Sequence, residues 1–175
     1  MMLRIVLLLL ALMASVPLEA RSPRSAPARA YDADNTMGLE AGDILVDTAS
    51  RRLVYAIDDA TLRIYPVAVG RRGQEFRGRA VVGRMAEDPT WHPTPDQRKK
   101  KPSLPRVVRA GPANPLGTRA LYLFQGRRDT LYRIHGTNEP RSIGRAVSSG
   151  CIRMRNADIE ELYDMVDIGA RVFVR

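Results

Sequence analysis

The 175-residue sequence holds a single cysteine, Cys151, and two histidines, His92 and His135. His135 stands sixteen positions before Cys151 and directly after the β-prone run Thr130-Leu131-Tyr132-Arg133-Ile134. A loop of that length can fold back and bring imidazole to thiol, the pairing of nucleophile and base that thiol acyl transfer requires. The imidazole then withdraws the thiol proton or, as imidazolium, stabilises the thiolate. Gly150 precedes the cysteine and permits close substrate approach, and together with Cys151 it offers backbone N–H groups to an oxyanion. A helix starting soon after Cys151 adds some positive dipole near the thiolate. As bare residue types, the two are equally compatible with a buried small hydrophobe and a structural histidine.

The compartment bears on that choice. The N-terminus reads Met1-Met2-Leu3-Arg4, an apolar stretch from Ile5 to Val16, then Pro17 and small Ala20 before Arg21. This is a signal-peptide layout, since the stretch is well short of the ~20 residues a spanning helix needs. The alternative is a retained anchor helix. Cleavage near Ala20 predicts an exported protein, periplasmic in a Gram-negative cell and peripheral to a membrane at most. In an oxidising compartment an unpaired thiol risks wrong disulfides, so Cys151 needs a purpose that Ser or Ala would not serve. One cysteine excludes an internal disulfide framework, and with two histidines it leaves few soft ligands for structural zinc.

The formal net charge is +9. Six basic residues and no acidic one fall between Arg98 and Arg109. Such a run usually marks a solvated loop. A nucleic-acid surface is a second reading, which export and the lack of interleaved aromatic residues argue against. An anionic polymer of the cell envelope is the more natural counter-charge.

The elements that must position the cysteine and histidine fit one domain: a signal peptide over 1–20, a flexible linker over 21–40 and a folded domain over 41–175. Strand-like runs at Ile44–Val46, Leu53–Ile57, Leu62–Val69, Ala120–Phe124, Thr130–Ile134 and Ala170–Val174 predict a mainly β fold of sandwich or barrel type. Asp58–Thr61 reads as a hairpin connection and Gly70–Gly73 as a turn. Seven of the twelve prolines lie between Pro89 and Pro115, which predicts a long ordered loop or lid without helical pattern. One helix is well signalled, with Asn156 as N-cap, Asp158 in the first turn, Ile159, Leu162, Tyr163 and Val166 on one face, and Gly169 at its end.

The segments GPANPLGTRALYL, YRIHGTNEPRSIG and AVSSGCIRM resemble, in order and spacing, the L,D-transpeptidase catalytic domain, the YkuD-type family of bacterial cell-wall enzymes, over roughly Asp43 to Arg175. The most specific part is His135-Gly136 followed by Ser148-x-Gly150-Cys151-Ile152-Arg153. Asn114–Gly117 and Trp91-His92-Pro93 are weaker flanking matches. The resemblance implies a β-sandwich-like domain with a helix after the cysteine. It implies that Cys151 attacks the diaminopimelate carbonyl of a peptidoglycan tetrapeptide stem, expels D-alanine and holds the stem as a thioester, with His135 as general base and acid. The Gly136 carbonyl then orients the imidazole, and Gly150 supplies an oxyanion N–H. No cofactor and no metal are implied. The partners are peptidoglycan stem peptides, with a second stem or an envelope protein as acyl acceptor, and no nucleic acid.

Ser148 matches the family's serine, whereas Ser149 stands where a second histidine is frequent, as a Cys-Ile-Arg subgroup (ErfK/YbiS-like) resembles this sequence more closely. Arg153, Ser148, Ser149 and Asn138 are the expected substrate-binding residues, the planar fork of Arg153 being suited to a carboxylate. Each also has a structural reading: an ion pair with a helix acid for Arg153, a turn for Asn138 and Thr137. Two other functions stay open, hydrolysis of the same thioester by water as an L,D-carboxypeptidase, and a non-catalytic envelope-binding module that uses the basic loop.

Overall fold

The computed structural model describes residues 38–175; the expected signal peptide and residues 21–37 of the expected linker lie outside them. The chain runs through β1 (Ile44–Asp47), β2 (Arg52–Ala56), β3 (Leu62–Pro66), β4 (Val69–Gly70), β5 (Gly78–Glu87), α1 (Pro95–Lys100), β6 (Arg119–Gln125), β7 (Arg128–His135), β8 (Ala146–Ser148), β9 (Ile152–Arg153), α2 (Asn156–Tyr163) and β10 (Arg171–Val174). Eight strands form one sheet in the order β3-β2-β1-β10-β5-β6-β7-β9, and β4 pairs with β8 in a second, two-stranded sheet.

Alternation along each strand decides which face is inside. Ile44, Val46, Leu53, Tyr55, Val172, Val174, Ala80, Val82, Leu121, Leu123, Ile134 and Ile152 are cross-strand partners that all join one buried cluster. Ile159, Leu162 and Val166 from α2 and the turn after it complete that cluster. Each such Val, Leu or Ile side chain removed from water contributes on the order of 1.5–3 kcal/mol, so this inner face holds the fold together. The sheet also curls round on itself. Ala68, just past β3 at one edge, exchanges backbone hydrogen bonds of 2.9 and 2.8 Å with Arg153 of β9 at the other edge.

The mainly β architecture with a helix after the cysteine is as expected, while three local expectations are corrected. The ten-residue β5, at the centre of the sheet, has no counterpart in the expected strands. Its inward positions run Ala80, Val82, Met85, because Gly83 is an extra residue where the register with β6 shifts, and the period of two breaks there. The Pro89–Pro115 segment is ordered, but it contains helix α1, whose Thr94 and Gln97 form a capping box, so the absence of helix expected there does not hold. Trp91 and Val108 close its base through paired backbone hydrogen bonds of 2.8 and 2.9 Å.

Helix α2 begins at Asn156 itself, so its cap lies one residue earlier than expected, and it ends well before Gly169. Arg155 occupies the N-cap position without a side-chain cap bond. The Asn156 side chain instead accepts from the Thr137 backbone N–H at 2.9 Å, so it ties the helix start to the loop after His135. Asp164 caps the other end, and a turn beyond it keeps Val166 in the core, which is why the apolar spacing overran the helix.

Candidate active site

His135 is the last residue of β7, where Ile134 pairs with Ile152 and His135 with Arg153 in a parallel ladder. Ile134 and Ile152 point into the core, so Arg133, His135, Cys151 and Arg153 share the opposite, outer face. Extending that register by one residue sets Cys151 opposite Arg133, whose backbone and guanidinium both act on the thiol, with His135 two residues further along β7. The edge-to-edge seam between Ala68 and Arg153 fixes the β9 side of this arrangement.

His135 is 4% exposed, and its Nδ1 lies 2.6 Å from the Gly136 carbonyl oxygen, to which it donates. That bond places the ring proton on Nδ1 and leaves Nε2 as acceptor. Burial pushes the ring pKa down to about 4, the nearby Arg153 and Arg133 charges add to this, and the Gly136 and Leu116 carbonyls oppose it. Burial raises the Cys151 thiol above its ordinary value, against the lowering effect of the Arg133 N–H and of the Arg133 and Arg153 guanidinium groups. Near neutral pH the resting pair is therefore neutral thiol and neutral imidazole.

The thiol points to the Leu131 carbonyl, with the sulfur 3.9 Å from that oxygen. This carbonyl is presented by a bulge in β7, since Tyr122 pairs with Arg133 and Phe124 with Asp129, which leaves two extra residues on β7. Leu131 adopts a φ of 64° at the bulge and its side chain is 66% exposed. Asp129 ties the bulge together: its carboxylate accepts from the Leu131 N–H at 2.8 Å and from both Arg133 nitrogens at 2.7 and 2.9 Å. Gly150 has a φ of 124°, and a Cβ there would collide with the Tyr132 ring and the Gln74 carbonyl, so only glycine allows the cysteine turn to sit this close to β7.

The turn itself is stapled. The buried Ser148 hydroxyl donates to the Cys151 carbonyl at 2.6 Å and accepts from the Gly150 N–H at 3.1 Å. In this structure Ser148 serves the turn, with its O–H donor and one of its two acceptor sites engaged locally. The Gly150 N–H reaches an oxyanion only when that bond opens. Ser149 is exposed. Arg153 bonds Glu139 at 2.8 Å, an exposed acid of the loop after β7 and not an acid of α2. Asn138 is exposed and donates to the Ala113 carbonyl at 3.2 Å, and it lines a cavity of about 530 Å³ together with Thr137, Asn114 and Asn156. Among the described residues no group of three His, Cys, Asp or Glu side chains is placed to hold a metal ion.

A family model for the L,D-transpeptidase catalytic domain (YkuD) matches residues 41–174. The chain belongs to that family. The probable L,D-transpeptidase ErfK/SrfK of Escherichia coli (strain K12) is 46% identical over 136 residues, covering 74% of this chain and 42% of that protein. The chain thus spans less than half the length of this relative. A crystal structure from Brucella melitensis, described as a probable carnitine operon oxidoreductase caia, is 42% identical with a TM-score of 0.54 and covers 76% of this chain and 85% of its own. The catalytic domain of the E. faecium L,D-transpeptidase acylated by ertapenem has a TM-score of 0.58 at 21% identity, covering 78% of this chain and 98% of that one, a likeness of fold alone.

In this L,D-transpeptidase-family domain, His135 and Gly136 at the end of β7 and Gly150, Cys151 and Arg153 around the start of β9 lie on neighbouring strands. The structure adds Arg133 and Asp129, which sequence reasoning missed. Four residues apart on a regular strand they would be about 13 Å from one another. Only the bulge joins them, and the one local signal for it was an Asp able to accept from the backbone two residues on.

Proposed function

We propose that this domain is an L,D-transpeptidase acting on peptidoglycan stem peptides in the periplasm, after export and cleavage near Ala20. The observation that carries the proposal is the register of β7 with β9. It places a buried neutral imidazole, its Nδ1 bonded to the Gly136 carbonyl, on the same sheet face as the thiol and two guanidinium groups. Cys151 Sγ attacks the diaminopimelate carbonyl carbon while His135 Nε2 takes the thiol proton. The C–N bond to D-alanine then breaks, and His135 returns the proton to the departing amine. The stem remains on sulfur as a thioester. An acceptor amine attacks that thioester, His135 takes its proton, and the C–S bond breaks to regenerate the thiol. A second stem as acceptor gives a cross-link, an envelope protein gives a wall anchor, and water gives the carboxypeptidase product.

Arg153 is the group best placed to meet a substrate carboxylate, since it exchanges an exposed acid for the ligand with little change in position. The sequence contains no Gly-x-Gly pair, so it lacks the dinucleotide fingerprint that the description of the Brucella structure would call for. The test is mass spectrometry of the purified protein with a disaccharide tetrapeptide. D-alanine release with a cross-linked dimer supports the transpeptidase, release with tripeptide alone supports the carboxypeptidase, and no release rejects both. Acylation by a carbapenem is a second check, expected as a mass adduct on Cys151 and absent from Cys151→Ser.

A further inference from the structure

The outer face that carries the thiol continues across β6, β5 and β10 into an open cavity of about 440 Å³, lined by Arg79, Val81, Phe124, Gln125, Arg171 and Phe173 among others. Its residues fall in rows set by register. Arg84, Tyr122 and Arg133 are partners across three strands, as are Arg171, Val81 and Phe124, and Phe173 pairs with Arg79. Guanidinium groups and aromatic rings alternate along the first and third of these rows, and Val81 separates Arg171 from Phe124 in the second. Arg84 and Arg133 lie 3.5 and 4.4 Å from the centre of the Tyr122 ring, and Arg79 and Arg171 both lie 5.7 Å from that of Phe173. Gly83 leaves room for the Phe124 ring, which a Cβ there would strike.

The four arginines are not alike. Arg133 is held by Asp129, and Arg171 by Asp43 and Glu40. Arg79 and Arg84 have no acidic partner among the described residues, so their charge is available to a ligand. A strand spacing of about 4.8 Å and a rise of about 3.3 Å per residue put Phe124 about 12 Å, and Phe173 about 25 Å, from the thiol along the sheet. That separation is too great for the reacting bond and suits a more distant part of a long substrate.

We propose that this face is a second binding site, for the glycan strand to which the reacting stem is attached together with that strand's neighbouring stems. Arg79 and Arg84 take carboxylates of those neighbouring stems, and Phe124 and Phe173 carry the apolar faces of the sugar rings. The proposal rests on the transpeptidase reading. Charge complementarity selects the occupant: two unpaired cations beside aromatic surface match a polymer that alternates sugar rings with carboxylated peptides.

The experiment measures binding to purified peptidoglycan sacculi in a Cys151→Ser background, and turnover of a free disaccharide tetrapeptide in the wild-type background, each with and without Arg79→Gln/Arg84→Gln. The expected result is a loss of about tenfold in sacculus binding, as for removal of charge-assisted hydrogen bonds, with turnover of the short substrate kept within about twofold. Unchanged sacculus binding overturns the proposal, as does an equal loss on the short substrate. Competition by anionic phospholipid vesicles for Arg79-dependent binding also overturns it and makes the occupant a membrane. If the wild type does not turn over the disaccharide tetrapeptide, the transpeptidase reading fails, while the binding arm still reports on this face separately.

Discussion

The end of the sheet at β7 and β9 and the face across β5, β6 and β10 both display arginines on the outer surface, but only the first provides an acid for each. Arg133 has Asp129 and Arg153 has Glu139, whereas Arg79 and Arg84 face aromatic rings without an acidic partner among the described residues. Beside the thiol, the paired acids spend the arginines' charge on geometry. Asp129 fixes the bulge that offers the Leu131 carbonyl to sulfur. Away from the thiol, unpaired charge is left for a ligand. Reaction needs atoms held to a few tenths of an ångström, and affinity for a long anion needs cations that are not already neutralised.

The largest test of this contrast is Cys151→Ser, nearly isosteric, for which we expect complete loss of D-alanine release with an unchanged circular dichroism spectrum. His135→Gln should lower kcat by about 10²–10⁴-fold, and an unchanged rate would mean that another group is the base. The pH profile sharpens the same point. With the folded imidazole at about 4, the acid limb of kcat/KM should lie near pH 4 and not near 6.5, because the ring accepts the thiol proton only while neutral. Stability carries the same sign. The unfolded chain binds this proton near 6.5, so the buried neutral ring is fully accommodated above that pH, and stability declines as pH falls towards 4, by up to roughly 3 kcal/mol from this group. Chemical denaturation at pH 7 and pH 4.5 measures it.

Smaller effects separate the two acids. Asp129→Asn leaves Arg133 with a neutral partner and loosens the bulge, and should cost about tenfold in kcat with little change in KM. Glu139→Gln removes an exposed pairing and frees Arg153 for substrate, so kcat should move by less than about threefold and KM should fall. Equal effects from the two would erase the distinction drawn between a geometric acid and an exchangeable one. Arg79→Gln alone is expected to change turnover of a free tetrapeptide by no more than about twofold, the smallest effect of the set.

Much of the site was legible because its signals are local. A lone cysteine after glycine, a histidine at a strand end, and a helix just downstream are each visible within a few residues. The Gly136 carbonyl bond to the imidazole was expected from the family resemblance and is present in the structure. At Ser148 a hydroxyl can face substrate or its own turn, and only the fold shows that it bonds the Gly150 N–H and the Cys151 carbonyl. Strand β5 was missed because one bulge at Gly83 inverts the alternation on which strand reading depends.

By itself, the sequence determined the mainly β class and the helix after Cys151 and singled out Cys151 and His135 as the candidate pair, since residue chemistry and short-period patterning are properties of the chain alone. The tertiary structure decided the rest. Closure of the sheet edge at Ala68 against Arg153, the bulge that joins Asp129 to Arg133, and the rows that align Arg79 and Arg84 with aromatic rings all depend on strands far apart in sequence. Register between such strands is set by which faces bury together, and no local pattern encodes it.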